Sequence, residues 1–102
     1  AVREGRLLII PVINLGEIWY STARCHSAEM ADRVVEEVEA MGVEAVDAGW
    51  ELTRLAAEFK TRGGLSCANC FAAALAKLHQ AELVTGDPEF HRLEDTIQIR
   101  WV

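Results

Sequence analysis

Three polar residues stand out because each is lodged in apolar text. Glu17 lies within Asn14-Leu15-Gly16-Glu17-Ile18-Trp19, Asn69 within Leu65-Ser66-Cys67-Ala68-Asn69-Cys70-Phe71, and Asp87 within Val84-Thr85-Gly86-Asp87-Pro88-Glu89-Phe90. A carboxylate in such a setting needs a hydrogen-bonding partner or a metal, because an unpaired charge is costly to take out of water. Two or three oxygens converging from separate elements suit Mg²⁺ or Mn²⁺, which prefer oxygen ligands. Each residue also has a plainer reading. Asp87 precedes Pro88 and so initiates a turn, Glu17 faces solvent on an amphipathic helix, and Asn69 bonds back toward Ser66 in a first helical turn. Spacing alone does not bring the three together.

The elements that must position them follow from periodicity. Leu7–Ile10 is a short apolar run between Arg6 and Pro11 and reads as a buried strand. Pro11 suits a helix start, and residues 12–23, apolar on most faces, are expected to form a largely buried helix. Ser27 is a good cap for a helix from Ala28 to about Met41, with Val34, Val38 and Met41 at helical spacing and Gly42 as its stop. Val43–Val46 is a short strand. Asp47 is placed to cap the next helix, which carries Leu52, Leu55, Ala56 and Phe59 and ends at Gly63-Gly64. Ser66 caps an alanine-rich helix. Leu83–Thr85 is a strand, Gly86-Asp87-Pro88 a turn, and Ile97–Val102 a last strand. Strands separated by helices imply an α/β fold, a mainly parallel sheet flanked by helices. In such sheets functional groups gather at the carboxyl ends of strands, which is where Asp87 falls.

Length and composition set the outer bounds. With 102 residues, the chain reads as a single domain over 1–102. Half its residues are apolar, enough for one core, and its net charge of -6 argues against a basic nucleic-acid clamp. Bound cations would invert that local charge at an acidic site. No apolar run approaches the ~20 residues of a membrane span. The start, Ala1-Val2-Arg3-Glu4-Gly5, shows neither a signal-peptide pattern nor an initiator Met, as in a chain cut upstream. Three cysteines, an odd number, fit a reducing cytoplasm.

Four segments together resemble the PIN domain family, which includes the toxin ribonucleases of VapBC-type toxin–antitoxin pairs. Leu65-Ser66-Cys67-Ala68-Asn69-Cys70-Phe71-Ala72-Ala73-Ala74-Leu75-Ala76 is similar to its "LS-x-A-D-x-FAAALA" helix, and Val84-Thr85-Gly86-Asp87-Pro88-Glu89-Phe90 to its "VTGDPEF" segment. Asn14-Leu15-Gly16-Glu17 resembles the "N-x-x-E" helix start, and Ala57-Glu58-Phe59-Lys60 the "A-x-x-K" helix. The resemblance implies a three-layer sandwich. It further implies an endoribonuclease with acids around one or two Mg²⁺ or Mn²⁺ ions, an RNA substrate, a cognate antitoxin partner and a homodimer. It assigns metal-holding roles to Glu17 and Asp87, places Asn69 where the family has a third acid, and makes Asn14 and Thr85 supporting residues.

Two departures shape the expectation. The family's first acid sits on a central first strand, in an "L-D-T/S" segment that this sequence lacks. Without it, the other strands are expected to flank a gap with unpaired edges, unless a partner chain fills it. Asn69 replaces an acid, and losing a unit charge about 4 Å from another costs on the order of 4 kcal/mol at an effective dielectric of 20. The expectation is therefore RNA cleavage by a protein with the full acid set and little or none by these residues alone. The competing reading is a catalytically impaired PIN-like module acting through protein or RNA contacts.

Other features are weighed lower. Cys67-x-x-Cys70 at a helix start has the spacing of a redox pair, but Gly63-Gly64-Leu65-Ser66 precedes it where such sites have a strand. A zinc site from Cys25, His26, Cys67 and Cys70 lacks normal ligand spacing. Trp19, Tyr20, Trp50 and Trp101 read as core and interface rather than as base-stacking platforms. His79 and His91 read as surface or packing residues. Arg54, Lys60 and Lys77 read as a solvated helix face with phosphate contact as the alternative.

Overall fold

The computed structural model describes residues 1–102. A hairpin opens the chain: β1 (Val2–Glu4) and β2 (Leu7–Pro11) pair antiparallel, with Glu4 opposite Leu7. The two-residue loop Gly5-Arg6 makes this possible. Gly5 sits at φ +61, the positive φ that tight hairpin loops require and that glycine adopts without Cβ strain. Then follow α1 (Val12–Cys25), α2 (Ala28–Ala40), β3 (Val43–Val46), α3 (Trp50–Thr61), α4 (Cys67–Leu78), β4 (Glu82–Thr85), a 3₁₀ helix (Pro88–Leu93) and β5 (Gln98–Trp101).

The strands form one sheet in the order β3-β2-β1-β4-β5. β2 pairs parallel with β3 and β4 parallel with β5, while β1 runs antiparallel to both its neighbours. The α/β class with helices flanking the sheet is as the sequence implies, but the sheet is mixed. The expected gap is not there: Val2–Glu4 occupies the centre, and Val2, fully buried, lies between Ile9 and Leu83. The hairpin closes the sheet because it satisfies the facing edges of β2 and β4 with one short strand.

α4 is the helix around which the core is built. Ala73 and Ala74 are completely buried and Cys70, Leu75 and Ala76 nearly so. Small side chains let its backbone approach the sheet and α3, where Phe59 fills the space between. Ser66 caps it, its hydroxyl accepting from the Asn69 N–H. Ser27 caps α2 in the same way through Met30.

Two local expectations are corrected. α3 starts two residues later than an Asp47 cap requires: its N-cap is Gly49, with no side-chain cap, and Asp47 contributes only its carbonyl to the Gly49 N–H. α1 is not a buried helix, as none of its residues is fully buried and Val12, Ile13, Trp19 and Tyr20 are exposed. The reason is its position. α1 rests chiefly on α2, tied by the Trp19 indole N–H to Asp32 at 2.9 Å, and meets α4, β2 and β3 only lightly, which leaves much of its surface open.

Candidate functional site

β4 ends at Thr85 and the chain turns at once into the 3₁₀ helix. Asp87 caps that helix, its Oδ1 accepting the Glu89 N–H at 2.9 Å, with Pro88 in the first turn. The Thr85 hydroxyl accepts the Asp87 N–H at 3.1 Å, so the strand end and the acid are locked to one another. Across from them stands the first turn of α4. The Asn69 amide NH₂ donates to Asp87 Oδ2 at 2.9 Å and to Glu89 Oε1 at 2.8 Å. Glu89 Oε1 also accepts the Ser66 N–H at 3.0 Å. One amide nitrogen therefore bridges two carboxylates, and one of those carboxylates ties the start of α4 to the 3₁₀ helix.

These contacts set the protonation state. The Glu89 N–H and then the Asn69 amide hold the Asp87 carboxyl below the usual carboxylate range, outweighing a small opposing effect of desolvation. Asp87 is exposed and Glu89 half-buried, so both reach solvent.

Asn69 and Asp87 are thus brought together with Thr85. Glu17 is exposed on α1 and shares no hydrogen bond or ion pair with the cluster, and no three His, Cys, Asp or Glu side chains gather at one point. Asn14, near the start of α1, keeps its Oδ1 buried with no hydrogen-bond partner. β1 adds no acid here. Because it runs antiparallel, its Glu4 lies at the opposite edge, against His79 at 2.9 Å.

Glu89 is the site residue that sequence reasoning passed over. Its signal was present: an acid two residues after Asp87, at the start of a helix, where an anion is favoured. Its link to Asn69 spans 20 residues and is invisible in sequence.

The donor set is chemically right for a hard cation. Two carboxylates share one small region, and Mg²⁺ commonly needs only one or two carboxylates besides water and phosphate oxygens. Asn69 is a donor to those acids as it stands. To ligate through oxygen, its amide must turn over and give up both hydrogen bonds.

The basic candidates are engaged elsewhere. The Lys60 ammonium donates to the Leu65 carbonyl at 2.8 Å, Arg54 pairs with Glu58, and Lys77 stands over the Phe59 ring. Cys70 is buried, which pushes its thiol up, the reverse of what a reactive dithiol needs.

Fold and site define an α/β domain with an acid pair at the carboxyl end of a sheet strand. The PIN domain model matches residues 2–95, and the chain belongs to the PIN domain family. PIN domains are generally nucleases and typically use divalent metals. A crystal structure of VapBC2 from Rickettsia felis bound to a DNA fragment from their promoter has a similar fold. Its TM-score is 0.69 at 21% identity, over 92% of this chain and 74% of that one. Among curated proteins no match is found.

Proposed function

We propose that this chain is a Mg²⁺- or Mn²⁺-dependent endoribonuclease domain of the toxin kind, working in a VapBC-type pair with an antitoxin. The observation that carries this reading is the convergence of Asp87 and Glu89 on Asn69, where β4 gives way to the 3₁₀ helix. In a family of nucleases, a pair of solvent-reaching carboxylates is what a cation-dependent phosphodiesterase needs. Asp87 and Glu89 would hold the ion, while Glu17 stands apart from them on α1. The bound ion supplies an activated water and screens charge on the phosphate oxygens.

The chain's own residues prepare that site. Thr85 fixes the backbone of Asp87, and the Ser66 N–H holds Glu89 in place. The lowered Asp87 carboxyl stays ionised, ready to bind a cation, throughout the neutral range. Asn69 supports the acids but adds no charge, so turnover is slow beside that of a domain with an acid there.

The bridging amide favours a second reading, a non-catalytic module acting through protein contacts. It satisfies both acids without a metal, and α1 offers an exposed apolar side. Calorimetry with Mn²⁺ and a single-stranded RNA cleavage assay test the choice. Under the nuclease reading Mn²⁺ binds, binding is lost in Asp87→Ala and Glu89→Ala, and Asn69→Asp raises cleavage. No Mn²⁺ binding in the parent chain and no cleavage by Asn69→Asp at millimolar Mn²⁺ would leave the module.

A further inference from the structure

Trp101 was expected to be core or interface. It is not core: it keeps 39% of its surface exposed and stacks on His91, with ring centroids 4.4 Å apart and planes inclined by 25°. β5 is an edge strand, so no further strand covers this side. Its place relative to the acids is fixed by three contacts. Trp101 is the register partner of Thr85, whose hydroxyl holds Asp87. The Val102 N–H donates to the Thr85 carbonyl at 3.1 Å, and a Cβ on Gly86 would fall 3.2 Å from the Val102 carbonyl oxygen, so the strands touch up to the residue before Asp87. His91 lies four residues beyond Asp87 on the 3₁₀ helix, about 8 Å along its axis at ~2 Å per residue. That is a little over two stacked nucleotide steps of about 3.4 Å.

We propose that Trp101, backed by His91, is a stacking platform for an unpaired nucleobase of a strand whose phosphate lies at Asp87 and Glu89. This rests on the nuclease reading and adds to it the kind of nucleic acid recognised. An exposed indole offers a flat π-face that any base can cover, and unpaired bases are the ones free to do so. His91 holds the indole from behind and is itself held by Glu94. The neighbouring cations suit a backbone. Arg92, the residue after His91, has its guanidinium over Gly64, and Arg62 reaches Thr96. Neither is in a salt bridge, unlike Arg3, Arg54 and Arg100. Arg62 also lies over the Phe59 ring. The 3₁₀ helix carries the acids at its start, His91 under the Trp101 indole and the Arg92 guanidinium within six residues.

The test uses the full chain with Trp19→Phe and Trp50→Phe, leaving Trp101 as the only tryptophan, in millimolar Ca²⁺. Its fluorescence is titrated with short single-stranded RNA, single-stranded DNA of the same sequence, duplex RNA, and single-stranded RNA with abasic residues. Quenching by single strands and not by duplex is expected. Quenching by RNA alone also supports the platform and adds a contact to the 2′-hydroxyl. In the parent background, Trp101→Ala should weaken single-strand binding about 5- to 150-fold, Trp101→Phe much less, and the abasic strand should show a similar loss on the parent chain. If the parent chain binds RNA, while Trp101→Ala and the abasic strand match normal affinity, the platform is refuted and the nuclease reading stands. If the parent chain binds no single strand, both fall.

Discussion

Replacing Asn69 by Asp is the most informative perturbation of this site, because it inverts the electrostatics of the bridge. The amide now gives one hydrogen to Asp87 at 2.9 Å and one to Glu89 at 2.8 Å. A carboxylate there donates nothing and faces two acids of like charge. Relaxation to about 4 Å leaves roughly 1 kcal/mol of repulsion per pair when water screens it. The cluster is open on the Asp87 side, so the screened figure is the appropriate one. Two pairs give about 2 kcal/mol, to which the lost hydrogen bonds add a further fraction. For a domain of this size that lowers the Tm by about 10 °C. Added Mn²⁺ should reverse the loss, since three carboxylates then surround a cation. A ligand at a hundredfold over its Kd stabilises by about 2.7 kcal/mol. The assay is thermal unfolding by circular dichroism, in EDTA and in rising Mn²⁺, of the parent chain beside Asn69→Asp. The variant should melt lower in EDTA and gain more from Mn²⁺ than the parent. Equal melting temperatures in EDTA would show that the amide bridge does not offset the two acids, and the reasoning would fail.

Three further outcomes follow from the same contacts. Asp87 is held below the ordinary carboxylate value of 3.8, so its contribution is complete above that value and is lost as pH falls through the lowered one; Asp87→Asn should flatten the Tm-against-pH curve in that acidic window and leave its slope near neutrality unchanged. Ser66→Ala removes the hydroxyl that accepts the Asn69 N–H and should cost about 1 kcal/mol in urea unfolding, with an unchanged m-value. Ala73→Leu forces a larger side chain into a position with no exposed surface and should cost about 1–3 kcal/mol by the same measurement, whereas Ala57→Leu on the neighbouring helix, exposed, should cost far less.

Much of the architecture was legible because it depends on local chemistry. Ser27 and Ser66 announced their helices through capping, Gly42 and Gly63-Gly64 ended theirs, and the alanine run of α4 showed that something must pack closely against it. Asp87 at a strand end was visible from the turn residues around it. Asn69 stood out through its neighbours Ser66 and Phe71, and the four ordered segments carried the family. Other features depend on which elements meet in space. The central strand is three residues long, too short to show a period, and its pairing on both edges requires β2 and β4 to be placed first. Whether Asp47 or Gly49 caps α3 turns on where the chain leaves β3. The apolar α1 reads as buried, yet burial requires covering elements, and beyond α2 this fold supplies only light contact from α4 and the sheet. Sequence alone specified four of the five strands, the four α-helices and two of the site residues, but not β1, the 3₁₀ helix or the start of α3. That Glu89 joins them, that Glu17 stands apart and that Trp101 stacks on His91 with its indole partly exposed was fixed only in three dimensions, because those outcomes rest on contacts between segments far apart in the chain.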